Sequence, residues 1–476
     1  MPEVTIDGIT YTPNQTPTIG IGITTRNRPE TLATTLQHIR KHTPNAHIVI
    51  VDDASTTPVP EADHRFTENV GIAQAKNKCL ELLYNAGTEH MFLFDDDCYP
   101  IADNWWADYI DSPEPHLMYI FHDLATDRKL NDIHIIYQDE QHIAYTGTRG
   151  CMLYVERRVL DVVGGMDPVF GKWGWEHPSW SGRINNAGLT TWRYADIANS
   201  EGLFYSLDEH QAVTAVDREV RTPELLDRNV ELYRQLWRSA EYVEFREQRD
   251  VVITTLFTRQ VDPQRGIHMK ADPALLTGLI DSVEGADMVV LHDELDTVDS
   301  GNTSFVKVDA RMQPYFQRHI SIWQYLREHP EIRYVWCVDG TDVEMLQQPW
   351  PHMKPGLLYL GSEPNVVGCQ WMLDNHKADG LQEFMKANSD NQLLNAGLIG
   401  GDRATVMAFL HELTRLFFSN RLDVAHGVGE DLGVGDMAAL NQVAWSSWAG
   451  RLVFGSRVNT VFKADERNDH SFFKHK

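Results

Sequence analysis

Three consecutive aspartates, Asp95, Asp96 and Asp97, follow the apolar run MFLF at 91–94. Neighbouring carboxylates repel one another and raise one another's pKa. Such a triplet at the end of a buried run therefore calls for a cation. A divalent ion with hard oxygen ligands, Mg²⁺ or Mn²⁺, would satisfy it and would in turn hold phosphate oxygens. Two further polar stretches, TTRNRP at 24–29 and DDAS at 52–55, also follow apolar runs. Glu176 and His177 sit in the aromatic stretch WGWEHPSW at 173–180. A carboxylate beside an imidazole suits proton transfer near neutral pH. Later in the chain, VWCVDGTDVEM at 335–345 again runs an apolar stretch into carboxylates, Asp339 and Asp342.

The elements that must position these groups follow from hydrophobic pattern. IGIGITT (19–25), HIVIVDD (47–53) and HMFLF (90–94) read as strands, rich in β-branched and aromatic residues. Between them lie two predicted helices, one opening at Pro29 and one over 70–87 that stops at Gly87. Strand–helix alternation with short loops is a parallel α/β sheet. Ligands of such sheets sit at the carboxyl ends of the strands, where all three acidic or polar stretches fall. Gly164-Gly165 ends a further helix. The loop around Trp173 and Trp175 then delivers Glu176 and His177 to the start of another, where the helix dipole favours negative charge.

Residues 217–249 are highly charged with an apolar stripe (Leu225, Leu226, Val230, Tyr233, Leu236, Trp237) and read as a helical linker. The pattern then restarts with strands at 250–257 and 287–294, a helix at 313–328 and the strand entering Asp339. The domain organisation expected is 1–216, a linker at 217–249, and 250–476.

Bulk properties narrow the class. The chain has 476 residues, 42% hydrophobic and 10% aromatic, enough for two cores. The opening MPEVTIDGITYTPNQ has no basic start and no apolar run, and no stretch approaches a membrane span. Five scattered cysteines argue for a reducing compartment, so a cytoplasmic setting is expected. The net charge of −26 disfavours broad nucleic-acid binding. It also means that a polyphosphate ligand needs either a metal ion or a local cluster of Arg and Lys.

The N-terminal half resembles family 2 glycosyltransferases of the GT-A fold. The resemblance rests on TTRNRP, VDDAS, ENVGIAQAKN (68–77), FLFDDDCYP and the segment from GCMLYVERR to WGWEHPSWSGRI, and spans about 17–215. It implies that Thr25 and Arg26 line a nucleotide site, that Asp52 faces base or ribose with Asp53 beside it, and that Lys76 and Asn77 contribute from the following helix. Asp95 and Asp97 would be the outer members of a DxD motif, one on the ribose and one on the metal, with Asp96 touching the sugar. Glu176-His177 stands where the family usually has Glu-Asp, whose Asp is general base for inverting transfer. Here the base is either Glu176 or His177. His210 falls where related enzymes sometimes place a metal-ligating histidine.

The C-terminal half resembles, more distantly, retaining glycosyltransferases such as the glycogenin-like enzymes. The shared elements are VWCVDGTDVEM, NQLLNAGLIGG (391–401), DMAALNQ (436–442) and the terminal VFKADERNDHSFFKHK. By that resemblance Asp339, Asp342 and His475 (or His470) would ligate the metal, Asn395 would sit at the nucleotide sugar, and Asp436 would lie close to the reacting sugar. Asp339 and Asp342 are spaced D-x-x-D rather than D-x-D. The fold expected is α/β, with two tandem GT-A domains joined by a helical segment. The function expected is hexosyl transfer from nucleotide sugars, by family habit UDP-sugars, with Mn²⁺ or Mg²⁺. The two halves would act as a bifunctional pair, inverting then retaining. The competing readings are one active domain with a C-terminal scaffold, and a nucleotide-sugar or glycan binding protein without turnover. The acceptor is left open among glycan, protein and modified nucleobase, and the motif style resembles enzymes of bacteriophages and bacterial glycan clusters.

Overall fold

The computed structural model describes residues 18–121, 133–207 and 222–475, apart from 264, 298, 434, 461 and 463–465, together with two short backbone strands, Val4–Ile6 and Ile9–Tyr11. Chain contacts divide it into two compact units, Met1–Glu247 and Gln248–Lys476.

The first unit is built on a six-stranded sheet. Its order is His64–Arg65, His47–Asp52, Ile19–Thr25, His90–Asp95, Met152–Glu156, His116–Met118. The first four strands are mutually parallel and the last two enter antiparallel and parallel to one another's neighbours through Met152–Glu156, which runs against both its partners. Side chains alternate across a strand, and IGIGITT uses this fully. Ile21 and Ile23 bury on one face with Leu32, Leu36 and Ile39 of the helix Pro29–His42. Gly20 and Gly22 face the other way, toward the helix Ile72–Asn85. A β-carbon on Gly22 would lie 2.6 Å from Cβ of Cys79, so glycine is what lets that helix close on the sheet. Pro29 opens its helix at a position where the missing N–H costs nothing.

The helix Pro223–Leu236, capped by Thr222, belongs to this first unit rather than standing as a linker. Asn229, which is fully buried, donates from Nδ2 to the carbonyls of Phe170 (2.7 Å), Trp173 (2.9 Å) and Gly174 (3.1 Å). Tyr233 packs on the ring of Trp175. The charged segment thus clamps the aromatic loop.

The second unit has a seven-stranded sheet ordered Thr303–Lys307, Asp287–His292, Arg249–Leu256, Ile332–Val338, Gln392–Asp402, Leu358–Val366, Leu452–Val453. Its first strand is again central, flanked by parallel strands, and the fifth runs antiparallel to the fourth. A separate antiparallel pair joins Val343–Met345 to Phe473–His475, with Val343 opposite His475. The last residues of the chain are thereby fixed beside the carboxylates that follow Val338. The five cysteines form no disulfide. No described helix is long and apolar enough to cross a membrane.

Candidate active sites

At the carboxyl ends of the first unit's parallel strands lies a cavity of about 470 Å³. It is lined by Thr25, Arg26, Asp53, Asp95, Asp96, Asp97, Glu176 and His177 of the expected set, together with Arg28, Arg149 and Lys172. Two loops are stitched at its rim: Asn27 N donates to Ser55 Oγ (2.9 Å) and Thr56 N donates to Asn27 Oδ1 (2.7 Å).

Two expected nucleotide residues turn away from it. Asp52 is fully buried and its carboxylate accepts from Ser55 N (2.8 Å) and Val59 N (3.2 Å), with Arg65 Nε at 3.2 Å. It organises its own loop and does not line the cavity. Asn77 exchanges hydrogen bonds with the backbone of Met166, 2.7 Å from its Nδ2 and 2.8 Å to its Oδ1. It ties the helix to the Gly164-Gly165 turn. Asp53 does face the cavity and accepts from Val70 N (2.7 Å) and Gly71 N (3.0 Å). Burial raises its pKa against those two bonds.

The acidic triplet does not gather as one ligand set: Asp96 and Asp97 meet at Arg28 Nη1, while Asp95 turns to Lys76. Asp95 meets Nζ of the fully buried Lys76 at 2.8 Å, and that Nζ also donates to Gly150 O at 3.2 Å. Asp96 accepts from Thr25 Oγ1 at 2.6 Å through Oδ2 and from Arg28 Nη1 at 3.0 Å through Oδ1. Asp97 Oδ2 accepts from the same Nη1 at 2.6 Å. Burial pushes the Asp96 carboxyl up to about 7 against the pull of Arg28 and Thr25. Burial opposes the charge on Arg28, but Asp96 and Asp97 more than offset it and raise its pKa. Asp95 and Asp97, the outer members of the expected DxD motif, are thus each engaged by a chain cation, and among the described residues they belong to no gathered set of three ligand atoms. Arg28 lies inside the quoted TTRNRP stretch, yet the reading of that stretch singled out Arg26; both line the cavity, and nothing in the spacing says that Arg28 is the one that meets Asp96 and Asp97.

Glu176 opens the helix Glu176–Asn186 after Trp175, whose backbone is left-handed (φ 73°). Its Oε1 lies 3.3 Å from His177 Nε2. Glu176 Oε2 and His177 Nδ1 are buried and have no hydrogen-bond partner among the described residues. Burial lowers the pKa of His177 despite the neighbouring Glu176. The helix is seated from beneath by His116, which bridges Tyr154 O (2.7 Å) and Ser181 Oγ (2.8 Å) and is held neutral by burial, with its pKa down to about 4. His210 lies outside the described residues.

The second unit has a cavity of about 310 Å³ lined by Asp339, Asp342, Asn395, Asp436 and His475, with Arg265, Tyr315 and Arg318. Here three ligand atoms do converge. Asp339, Asp342 and His475 place donors within 4.8 Å of one another, the one such set among the described residues. His475 Nε2 lies 3.5 Å from Asp339 Oδ2 and 4.0 Å from Asp342 Oδ1. The turn at Gly340-Thr341 folds the D-x-x-D spacing so that both carboxylates reach the histidine that the terminal strand supplies. His470 is exposed beside Asp469 and takes no part. Carboxylate oxygens with one imidazole nitrogen suit Mn²⁺ or Mg²⁺, so this set fits a divalent ion.

Asn395 accepts from Gly397 N at 2.6 Å and donates to Glu363, and Gly397 O accepts from Asp339 N at 3.0 Å. Asn441, which ends the DMAALN stretch, fixes the helix Asp436–Ser447 to Leu394 by paired backbone bonds of 2.9 and 2.8 Å. That helix presents Asp436 to the cavity. Arg318, missed in the sequence, joins the two acids: Nη1 to Asp339 Oδ1 at 2.6 Å and Nη2 to Asp436 Oδ2 at 2.9 Å. Burial pushes the Asp436 carboxyl up to about 6 against Arg318. Burial also works on Asp339, but Arg318 and His475 hold its pKa well below the carboxylate range.

Residues 21–112 match the model of the glycosyl transferase family 2. The matched stretch carries the strands ending at Thr25, Asp52 and Asp95, and the first unit contains a family 2-like glycosyltransferase domain of α/β fold. No curated protein compared with the chain matches it.

Proposed function

We propose that this chain is a bifunctional glycosyltransferase that moves sugars from nucleotide-sugar donors, UDP-sugars by the habit of the family, to an acceptor. The first unit inverts. Its reading is carried by one observation: Glu176, whose buried Oε2 has no partner among the described residues, lines the same cavity as the carboxyl ends of the parallel strands. An acceptor hydroxyl attacks the anomeric carbon, its proton passes to Glu176, and the nucleoside diphosphate leaves with the electron pair of the broken C–O bond. Glu176, rather than His177, takes the base role, because His177 Nε2 is turned to Glu176 Oε1 while Glu176 Oε2 keeps its lone pairs uncommitted.

The second unit repeats the sheet order of the first and also collects carboxylates after its fourth strand in spatial order, which supports a second GT-A-like domain. Asp339, Asp342 and His475 would hold Mn²⁺ or Mg²⁺, which supplies positive charge for a leaving diphosphate. Asn395 and Asp436 would contact the donor sugar, with a retaining outcome. The acceptor is a glycan, a protein or a modified nucleobase.

The test follows UDP release from a panel of UDP-hexoses by the full chain. Glu176→Gln should remove one transfer and Asp342→Asn another. Loss confined to Glu176→Gln would leave a single active domain with a C-terminal scaffold. Unchanged turnover in both variants would overturn the assignment of both sites.

A further inference from the structure

An acidic chain can meet a diphosphate in two ways, with a divalent ion or with its own Arg and Lys side chains, and the two cavities differ in which they are equipped for. A shared ion needs oxygen ligands that converge. In the first unit the three carboxylates do not gather as one ligand set among the described residues, and chain donors engage them: Asp95 by Lys76, Asp96 by Thr25 and Arg28, Asp97 by the same Arg28 nitrogen. The same cavity is lined by Arg26, Arg28, Arg149 and Lys172, whereas Arg265 and Arg318 are the Arg and Lys residues lining the second.

We infer that the first unit neutralises a nucleoside diphosphate with its own guanidinium and ammonium groups, so that the chain's divalent-metal requirement resides in the second unit. The inference rests on the reading of the first cavity as a nucleotide-sugar site.

Arg28 is the central group. A guanidinium carries five N–H donors in a planar fork. The two carboxylates draw on Nη1 alone, which leaves Nε and Nη2 for phosphate oxygens in the bidentate manner arginine favours. Asp96 and Asp97 then fix the fork rather than a metal. Lys76 plays the matching role on the other side, holding Asp95 so that its charge is already balanced when the ligand arrives. Arg26, Arg149 and Lys172 add positive charge around the same space.

The second unit contrasts at the atomic level. Arg318 takes Asp339 Oδ1, but Oδ2 of the same carboxylate still faces His475 Nε2, and Asp342 joins them. One oxygen is committed to a chain cation and the other remains in a convergent set.

Two measurements on the full chain test this. The first is calorimetric titration with UDP, and with GDP, CDP and dTDP in parallel, in EDTA and again in Mn²⁺. One nucleotide site per chain should persist in EDTA. Arg28→Ala should weaken it by about tenfold or more, the loss of charge-assisted hydrogen bonds, and Arg28→Lys by less. Mn²⁺ should add a second site that Asp342→Asn abolishes. The second measurement is a Mn²⁺ titration followed by electron paramagnetic resonance, which needs no Arg28 variant. One tight ion per chain is expected, retained in Asp97→Asn and lost in Asp342→Asn. A nucleotide site of the first unit that vanishes in EDTA, or a second tight Mn²⁺ lost in Asp97→Asn, would overturn the inference while leaving the donor-site reading intact. Absence of any nucleotide site assignable to the first unit, with or without Mn²⁺, would instead overturn that reading.

Discussion

In the first unit the strand His90–Asp95 ends in three carboxylates, and each is met by a chain donor: Lys76 on one side, Thr25 and Arg28 on the other. In the second unit the strand Ile332–Val338 ends in Asp339, and a turn and a terminal strand gather Asp342 and His475 around it. The two sheets share an order and the two strands share a place in it. The number of acidic residues at the strand end is thus a poor guide to whether they gather as ligands. Three adjacent aspartates are split between Lys76 and Arg28, while two spaced by a turn, with a histidine from 133 residues further on, give a convergent set.

The sharpest way to break this comparison is at the proposed base. Glu176→Gln keeps the shape of the first cavity and removes its proton acceptor. Turnover of the first transfer should fall by about 10²–10⁴-fold, the usual worth of general base catalysis. UDP binding and the second transfer should be unmoved. Weakened UDP binding of the same size as the rate loss would mean that Glu176 positions the donor instead.

The two arginines offer the next contrast. Arg318→Met leaves Asp339 and Asp436 without their shared cation. Asp339 is a third exposed in its side chain, so the expected cost, about 2–4 kcal/mol, sits at the low end for a broken buried pair. Arg28→Met should cost the first unit less near pH 6, because Asp96, with its pKa at about 7, can take a proton and neutralise itself. Amide hydrogen exchange in the helices Pro314–Glu328 and Pro29–His42 reads the two effects separately. Equal losses in both helices at pH 6 would remove the distinction between the two arginine pairs.

A smaller effect comes from space. Each unit keeps a glycine against its histidine. A β-carbon on Gly150 would fall 2.1 Å from Cδ2 of His177, and one on Gly397 would fall 2.2 Å from Cε1 of His475 and 2.5 Å from Asp339 Oδ2. Gly397→Ala should therefore lower Mn²⁺ affinity by about 10–100-fold without replacing a ligand, as changes that reorient ligands do. Gly150→Ala should slow the first transfer and leave Mn²⁺ affinity as it was. A Gly397→Ala variant that binds Mn²⁺ normally would argue that His475 is not part of the ion's coordination.

Where the carboxylates come in the chain was legible before any coordinates, because strand ends are marked by hydrophobic pattern. Which way they point was not. Asp52 and Asp53 are adjacent and both follow the same strand, yet Asp52 turns onto Ser55 N and Val59 N while Asp53 reaches the cavity. Backbone amides of a loop that has not yet been folded leave no trace in the spacing. Asn77 is lost to the same cause: its partner is the backbone of Met166, 89 positions away. Arg28 and Arg318 were invisible for another reason. An arginine before or within a helix is most often a solvated charge, and only the meeting of two distant segments shows that these two are counter-ions. By contrast, the convergence of Asp339, Asp342 and His475 was expected from the C-terminal resemblance, and the pairing of Val343 with His475 supplies its physical cause.

The smallest effect also separates the two sites most cleanly, because its sign differs between them. Asp96 has a folded-state pKa of about 7, raised by burial above the ordinary carboxylate value. As pH falls from 8 to 6 it gains a proton, and one negative charge beside the phosphate position disappears. Metal-independent nucleotide binding in the first unit should strengthen by about three- to tenfold over that interval. In the second unit His475 works the other way. Burial disfavours its charge, but the bond to Asp339 and the fields of Asp339, Asp342 and Glu363 raise its pKa above the ordinary histidine value. A metal needs the neutral imidazole, so Mn²⁺ affinity should fall over the same interval, by a factor of similar size. Titrating UDP in EDTA and Mn²⁺ alone at pH 6, 7 and 8 measures both. Asp96→Asn should flatten the first profile and leave the second sloped. Two profiles of the same sign would mean that one kind of cation serves both cavities.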